Sequence, residues 1–322
     1  MNRLSIITAF LGGVKNRYLQ YQPERGLREK LALARKAGGF EGLELCYPAD
    51  FQDPAGLGSL LAEFGFGVSA VNARSRRPDR WFRGSFTAEN PAERRELVDD
   101  FKRAIDAARR VGTDRITTCP LNDGHDYVFE MNYFDAYRYA EETFGEICRY
   151  DPAMRICIEY KVNDPRTRCL FASAGETLAF CQSTGLANLG VTLDFGHSLL
   201  AAERPAQSVA LLSRAGKLFY VHLNDNDRAW DWDMLPGAFN LPELIEFFFY
   251  LEEAGYTDDW YAYDVMSKET DTVETFAAVS AITRKIEGFA AGIDHGAMKA
   301  IMKERNPIKA LSSFYGMAFR GA

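Results

Sequence analysis

The chain has 322 residues, of which 47% are hydrophobic and 26% charged, and its formal net charge is −7. This length and composition allow a large core in one or two domains, and the acidic balance lacks the basic footprint of a nucleic-acid-binding protein. No apolar run approaches the roughly 20 residues that a bilayer-spanning helix needs. A soluble, cytoplasmic protein with no nucleic-acid or membrane partner is therefore expected.

The six cysteines contain no Cys-x-x-Cys pair, and several fall in apolar, strand-like runs. Buried free thiols are therefore expected rather than disulfides. The apolar N-terminal segment Met1–Phe10 is short and lacks a small-residue cleavage site, so a first strand is predicted there rather than a signal peptide.

Strand-like and helix-like segments alternate about eight times along the chain. The predicted strands are Leu4–Phe10, Gly42–Pro48, Phe66–Ala73, Arg115–Pro120, Arg155–Lys161, Leu189–Phe195, Leu218–Leu223 and Trp260–Val265. The predicted helices are Gly26–Ala37, Pro54–Phe64, Pro91–Val111 with Asn90 as its cap, Tyr133–Tyr150, Ala174–Thr184, Pro205–Ala215, Leu241–Glu253 and Thr270–Gly288. Eight βα units without a linker-like break predict an α/β fold, a (β/α)8 TIM barrel over residues 1–292. An open doubly wound sheet is the alternative, but no glycine-rich phosphate loop follows the first strand.

Residues 293–322 follow the eight units as a predicted C-terminal helical extension. Within it, Ala297–Lys303 has the apolar spacing of a helix. The extension either packs on its own barrel or reaches a partner subunit and forms an oligomer, and the sequence leaves both interpretations open.

The segment Val221–Asp233 carries a dense set of polar groups. It begins as a strand with one histidine, His222, and continues into a loop with four aspartates, among them Asp231 and Asp233. Imidazole and carboxylate groups are ligands that divalent cations accept. A solvated acidic loop that caps a strand is the alternative interpretation of this segment alone.

Four consecutive predicted strands carry metal-ligand residue types near their ends. These residues are Glu159, Asp194, His222 and Asp264. Adjacent strands lie about 4.8 Å apart, so four inward side chains at the carboxyl end of a barrel can converge on one cation. Three carboxylates and one imidazole suit Mn²⁺, with Mg²⁺, Co²⁺ or Zn²⁺ as alternatives.

A second set of polar residues adjoins the first. Lys161 follows Glu159 by two positions, on the same face of its strand. His197 follows Asp194 by three positions, and Asp231-x-Asp233 lies beyond His222. Asp194, His197, Asp231 and Asp233 therefore define a candidate second metal site that shares one carboxylate with the first.

These features resemble the xylose isomerase-like barrel superfamily, most closely its L-rhamnose isomerase branch. The motifs that carry the resemblance are Glu159-x-Lys161, Asp194-x-x-His197, His222, Asp231-x-Asp233 and Asp264. The resemblance implies a structural metal at the four strand-end residues, a catalytic metal at the Asp-x-x-His and Asp-x-Asp pairs, and a lysine that contacts substrate oxygen. The resemblance covers about residues 4–290 by strand order, and its specific matches lie in the second half of the chain. It also implies a homodimer or homotetramer.

The loop His222–Arg228, followed by Pro236–Gly237, also resembles the tagatose epimerases, in which the arginine contacts substrate. Those epimerases use a glutamate on the last strand, where this chain has Asp264, and pair two glutamates as acid and base. The sequence therefore combines features of both branches.

Substrate contacts are predicted at residues in or just past strand ends and in the aspartate-rich loop, with ordinary loop or packing roles as the alternative. These residues are Tyr47, Asn72, Arg74, His125, Phe195, Arg228 and Trp230. The tryptophan and phenylalanine rings offer flat walls on which a sugar can stack.

The hypothesis is a metal-dependent enzyme that interconverts an aldose and a ketose, an unphosphorylated sugar or a derivative of one. Its predicted catalytic residues are Glu159, Lys161, Asp231, Asp233 and Asp264. Hydrogen would move as a hydride with two metals, or as a proton through an ene-diolate with one.

Four alternatives remain open. A ketose 3-epimerase would use the same proton transfer. A lyase or deglycosidase acting on an oxidised sugar is less favoured, because such relatives have a histidine where this chain has Cys157. A related endonuclease acting at abasic DNA sites is disfavoured by the acidic balance. A sugar-binding barrel without catalysis would be indicated if the ligand residues held no metal.

Overall fold

The computed structural model describes residues 1–319. Eight parallel strands close into a barrel in which the first strand pairs with both the second and the last. The strands are β1 (Arg3–Ile7), β2 (Gly42–Tyr47), β3 (Gly67–Ala73), β4 (Arg115–Thr118), β5 (Arg155–Glu159), β6 (Leu189–Asp194), β7 (Leu218–Leu223) and β8 (Trp260–Tyr263). Closure confirms the predicted TIM barrel and excludes the open sheet.

Helices follow the strands around the outside of the barrel. They are α1 (Leu27–Ala37), α2 (Leu57–Phe64), α3 (Pro91–Arg110), α4 (Tyr133–Tyr150), α5 (Ala174–Ser183), α6 (Phe195–Leu200), α7 (Pro205–Arg214), α8 (Leu241–Glu253) and α9 (Thr272–Ala291). The predicted cap of α3 is confirmed, because the Asn90 side chain accepts a hydrogen bond from the backbone N–H of Ala92 at 2.9 Å.

The structure adds short elements that the sequence did not predict. A 3₁₀ turn at Thr8–Leu11 ends β1 earlier than expected, and a second one covers Ala49–Phe51. Phe195 begins helix α6 instead of ending a strand. Gly124–His125 and Arg168–Cys169 form a small antiparallel pair outside the barrel.

A buried ion pair lies at the amino-terminal end of the barrel. Arg115, the first residue of β4, is fully buried, and its Nη2 donates to both carboxylate oxygens of Asp259 at 2.8 and 3.0 Å. Its guanidinium carbon lies 4.5 Å from the centroid of the Tyr220 ring. The Tyr220 hydroxyl is in turn 2.8 Å from Ser69 Oγ. These side chains fill the interior and close this end of the barrel.

Two further helices, α10 (His295–Lys303) and α11 (Pro307–Ala318), occupy the predicted extension. The His295 ring stacks on Phe249 of α8 with 4.2 Å between centroids, and Phe314 meets Phe289 of α9 edge-on at 6.3 Å. The extension therefore packs on its own barrel. Residues 320–322, which the prediction included, lie outside the described part.

Two expectations from composition can be compared with the structure. All six cysteines are free thiols and five of them are buried, as predicted. Within residues 1–319, every helix is too short or too polar to cross a membrane.

Candidate metal and active site

The four strand-end residues that the sequence singled out meet at the carboxyl end of the barrel. Glu159 and Asp194 end β5 and β6, His222 is the next-to-last residue of β7, and Asp264 directly follows β8. All four are buried, with His222 and Asp194 fully so. Parallel strands bring these positions together because their carboxyl ends share one rim of the barrel.

The ligand atoms of the three carboxylates and of His197 lie close enough for one cation. One such atom from each of Glu159, Asp194, His197 and Asp264 lies within 4.8 Å of the others. Glu159 Oε1 faces both imidazoles, at 3.4 Å from His197 Nδ1 and 3.5 Å from His222 Nδ1. Both histidines therefore border the same carboxylate, although the sequence assigned them to separate metals.

Helix α6 explains how His197 reaches the cluster. The Asp194 side chain caps this helix by accepting a hydrogen bond from the His197 backbone N–H at 2.7 Å. The cap turns the chain at the end of β6, so that the His197 ring lies beside Glu159 at the end of the neighbouring strand β5. Asp194 therefore supplies a candidate ligand and positions another.

Asn224, which sequence reasoning missed, bridges two of the carboxylates. Its Nδ2 donates to Asp194 Oδ2 at 3.1 Å and to Asp264 Oδ1 at 2.9 Å. It is fully buried and directly follows β7. Its position at a strand end was the one available signal, and an amide alone is weak evidence for a site.

Glu44, also missed, holds His222 from the opposite side of the barrel. His222 Nε2 lies 3.0 Å from Glu44 Oε2, and Asn72 Nδ2 donates to Glu44 Oε1 at 2.7 Å. A carboxylate that accepts the Nε2 proton leaves Nδ1 free to act as a metal ligand. A lone glutamate in the apolar strand Gly42–Tyr47 was a usable signal.

The charges of the cluster require compensation. Burial raises the pKa of Glu159, but the facing imidazoles of His222 and His197, with Lys161, lower it to about 2. Burial and the neighbouring Asp194 carboxylate hold the pKa of Asp264 well above its ordinary value. Three carboxylates packed this closely are fully ionised only beside additional positive charge.

Several buried polar atoms of the cluster suit a cation. Within residues 1–319, His197 Nδ1, His222 Nδ1, Asp231 Oδ1 and Asn224 Oδ1 are buried without a hydrogen-bond partner. Buried polar atoms rarely stay unpaired, and imidazole nitrogen with carboxylate oxygen is a ligand set for Mn²⁺ and related ions. The residues present therefore fit a divalent metal.

The second predicted set lies beside the first and is organised by Lys161. Asp231 Oδ2 is 2.8 Å from Lys161 Nζ and 3.1 Å from His197 Nε2, so one oxygen faces two nitrogens. Burial raises the pKa of Asp231, but His197 and Lys161 outweigh it and lower that pKa. Burial and the Asp231 charge raise the pKa of Asp233. Asp231 is thus charge-balanced by side chains of the chain itself.

The predicted substrate residues of the first half divide into two groups. Asn72 reaches Glu44, and Arg74 donates to Cys46 Sγ at 3.3 Å, so both lie beside the cluster. Tyr47, the last residue of β2, is half-buried and packs at 5.6 Å against Phe51. His125 lies in the small antiparallel pair and contacts the Tyr133 hydroxyl at 3.3 Å.

The predicted substrate residues of the second half have other contacts in the structure. Phe195 is fully buried and packs against Phe247 at 5.3 Å between ring centroids. Arg228 Nη2 pairs with Glu243 at 3.0 Å. Trp230 is 42% exposed in the loop next to Asp231.

A closed (β/α)8 barrel with carboxylates and imidazoles gathered at the carboxyl rim of its last four strands defines the class of protein. The chain matches the xylose isomerase-like TIM barrel family over residues 31–281. It belongs to that family, which confirms the resemblance of its motifs.

Individual relatives agree with this assignment. The chain is 26% identical over 202 residues to a xylose isomerase of Thermus thermophilus, and the match covers 61% of this chain and 52% of that protein. The chain thus spans about half the length of this curated relative. A solved L-ribulose 3-epimerase superposes with a TM-score of 0.70 at 19% identity, covering 92% of this chain and 99% of that one. A D-tagatose 3-epimerase-like protein does so with 0.71 at 18% identity, covering 90% and 98%.

Proposed function

We propose that the protein is a divalent-metal-dependent sugar isomerase that interconverts an aldose and a ketose by proton transfer. The observation that carries the proposal is the convergence of Glu159, Asp194 and Asp264 with two imidazoles at one buried point beside Lys161. Membership of the xylose isomerase-like family supports it, as does the similarity to sugar isomerases and epimerases.

The metal would be held by Glu159, Asp194 and Asp264 with one of the two imidazoles: His197 shares the 4.8 Å group with these carboxylates, and His222 Nδ1 lies 3.5 Å from Glu159. Mn²⁺ is the first candidate for this ligand set. When bound, such a cation supplies Lewis-acid polarisation of the sugar's oxygens.

The side chains themselves divide the proton-transfer work. Glu159 and Asp264, whose ligand atoms lie within 4.8 Å of one another, would remove and return the proton next to the carbonyl. Asp231 keeps the Lys161 ammonium charged and fixed in place. Lys161 then donates a hydrogen bond to the oxygen on which negative charge develops.

A ketose 3-epimerase is the second candidate. Within residues 1–319, one group of side chains, Glu159, Asp194, His197 and Asp264, has ligand atoms close enough for a single cation. A single-metal site favours an ene-diolate, and reprotonation of that intermediate at C3 gives the epimer. The choice between the two reactions then depends on which carbon of the sugar lies next to the base.

The test combines metal content with isotope exchange. Mass spectrometry of purified protein should find about one equivalent of metal, kept in His295→Ala, an imidazole remote from the cluster, and lost in Asp194→Asn. Comparing His197→Ala with His222→Ala identifies the ligating imidazole. No metal, even after reconstitution, contradicts the proposal.

Turnover in D₂O separates the reactions. Proton transfer places solvent deuterium on the sugar, at C1 or C2 for an isomerase and at C3 for an epimerase. Products without deuterium would indicate a hydride shift and contradict the proton-transfer route.

A further inference from the structure

A cavity of about 490 Å³ is lined largely by the loop that follows β3. Three arginines, Arg76, Arg77 and Arg166, line it together with Pro78, Phe82 and Pro165. The arginines thus make one part of the cavity wall basic, and the prolines and Phe82 make the other part apolar. The proposed sugar chemistry uses none of these side chains.

The three arginines differ in what they contact. Arg77 pairs with Asp100, and Arg166 pairs with Asp126 at 2.8 Å and also donates to the carbonyl of Phe82. Arg76 is half-buried, and among residues 1–319 no carboxylate or carbonyl binds its guanidinium. Burial and the adjacent Arg74 lower the pKa of Arg76 to about 10. A confined cation without a partner is a site for an anion.

Side-chain contacts link the cavity wall to the candidate active site. Lys161 Nζ contacts Asp231 at 2.8 Å on the cluster side and Asp164 at 3.2 Å on the other. Asp164 directly precedes Pro165 in the cavity wall. Arg76 is also close enough to Glu159 for the two charges to interact. A sugar that reaches Glu159 and Lys161 can therefore extend its far end towards Arg76.

The charge of the surroundings favours an acidic group at that end. The cluster itself is rich in carboxylates, which repel an anion unless a cation is placed to receive it. The apolar surfaces of Phe82, Pro78 and Pro165 reduce competing water around such a pair. Arginine also binds carboxylate and phosphate through two parallel hydrogen bonds.

We propose that the substrate is a sugar that carries an oxyanion, as a carboxylate or a phosphate, and that Arg76 binds this group. The inference rests on the proposed function for the rest of the sugar. It narrows the substrate class from neutral sugars to acidic ones.

The first experiment measures binding, which does not require turnover. D-gluconate and D-glucitol differ at the carboxylate end, and calorimetry on the metal-loaded protein compares them. Gluconate should bind at least tenfold more tightly, as expected for a charge-assisted hydrogen bond. Arg76→Gln should abolish the difference, whereas Arg83→Gln, an exposed arginine of the same loop, should keep it.

Three results would overturn the inference. The first is that the wild-type protein binds gluconate and glucitol equally tightly. A gluconate preference that survives in Arg76→Gln is another, since the carboxylate would then bind the metal or another residue. Loss of the preference in Arg83→Gln as well would show a general charge effect. Equal unfolding midpoints for the two variants exclude misfolding as the cause.

The second experiment measures kcat/KM for a hexose, the matching hexuronate and the matching hexose 6-phosphate. Higher values for an acidic sugar, lost in Arg76→Gln through KM, support the inference and show which oxyanion is preferred. Turnover of neutral sugars without such a preference overturns it and leaves the proposed function intact. Arg76-dependent gluconate binding without turnover of any sugar supports the anion site and contradicts the proposed function.

Discussion

Glu44 and His222 meet inside the barrel, 178 residues apart in the chain, with 3.0 Å between Oε2 and Nε2. Both are fully buried. The contact fixes the orientation of the imidazole, so that its Nδ1 faces Glu159 at 3.5 Å. Glu44 is therefore a positioning residue for the metal cluster.

We expect Glu44→Gln to weaken metal binding by about 10- to 100-fold, the usual effect of losing a carboxylate behind a ligating histidine. The neutral amide no longer raises the basicity of the ring. A Mn²⁺ titration measures the change, with Glu63→Gln as a control, because Glu63 is exposed and pairs with Arg28 at the surface. Unchanged affinity in Glu44→Gln would contradict this role.

Lys161→Met should lower kcat by about 10²- to 10³-fold, as expected when one donor to a developing oxyanion is removed. It should also cost about 3–5 kcal/mol in the free energy of unfolding, because Asp231 loses a partner in a buried ion pair. Kinetics and urea denaturation measure the two effects. Asp164→Asn, which removes the exposed partner of Lys161, should change each only slightly. Equal losses in both variants would rule out a special role for the Asp231 contact.

The stability of metal-free protein should decrease as the pH rises from about 6.5 to 9. Burial lowers the pKa of His197, but Asp194 and Asp231 outweigh it and raise that pKa from 6.5 to about 9. The protonated ring therefore stabilises the fold fully below about pH 6.5, and this contribution is lost as the pH passes the folded value.

The expected size of that loss is of order 3 kcal/mol, at about 1.4 kcal/mol for each pKa unit. Denaturation at a series of pH values measures it, with His197→Gln as the comparison. The wild-type slope should exceed the slope of the variant. Parallel slopes would show that His197 does not titrate in this range.

The exposed face of α11 should mediate self-association. Ile308, Leu311 and Tyr315 are 70%, 53% and 47% exposed on one helix, while Phe314 packs inward against Phe289. Leu311→Asp should therefore shift an oligomer towards monomer without lowering the unfolding midpoint. Analytical ultracentrifugation checks this, with the exposed Ser312→Asp as the control. An unchanged mass would contradict an interface on α11.

The architecture and the candidate ligands were predictable from local sequence. Each of Glu159, Asp194, His222 and Asp264 is a ligand type at or next to the end of an apolar run, and a closed parallel barrel brings all strand ends to one rim. These predictions need only the position of each residue within its own strand.

The residues that escaped prediction depend on contacts across the barrel. Glu44 acts on a histidine five strands further along the chain, and Asn224 bridges two carboxylates from different strands. Phe195 was predicted to end a strand, but it begins the short helix α6 and packs against Phe247. Such outcomes depend on where the backbone turns, which residue type alone does not determine.

The Arg115–Asp259 pair under the Tyr220 ring blocks the far end of the barrel. The candidate metal ligands lie at the opposite, carboxyl rim of the barrel. The length of the strands separates the Arg115–Asp259 pair from that rim. Changes in the loops at the carboxyl rim therefore leave this buried pair untouched.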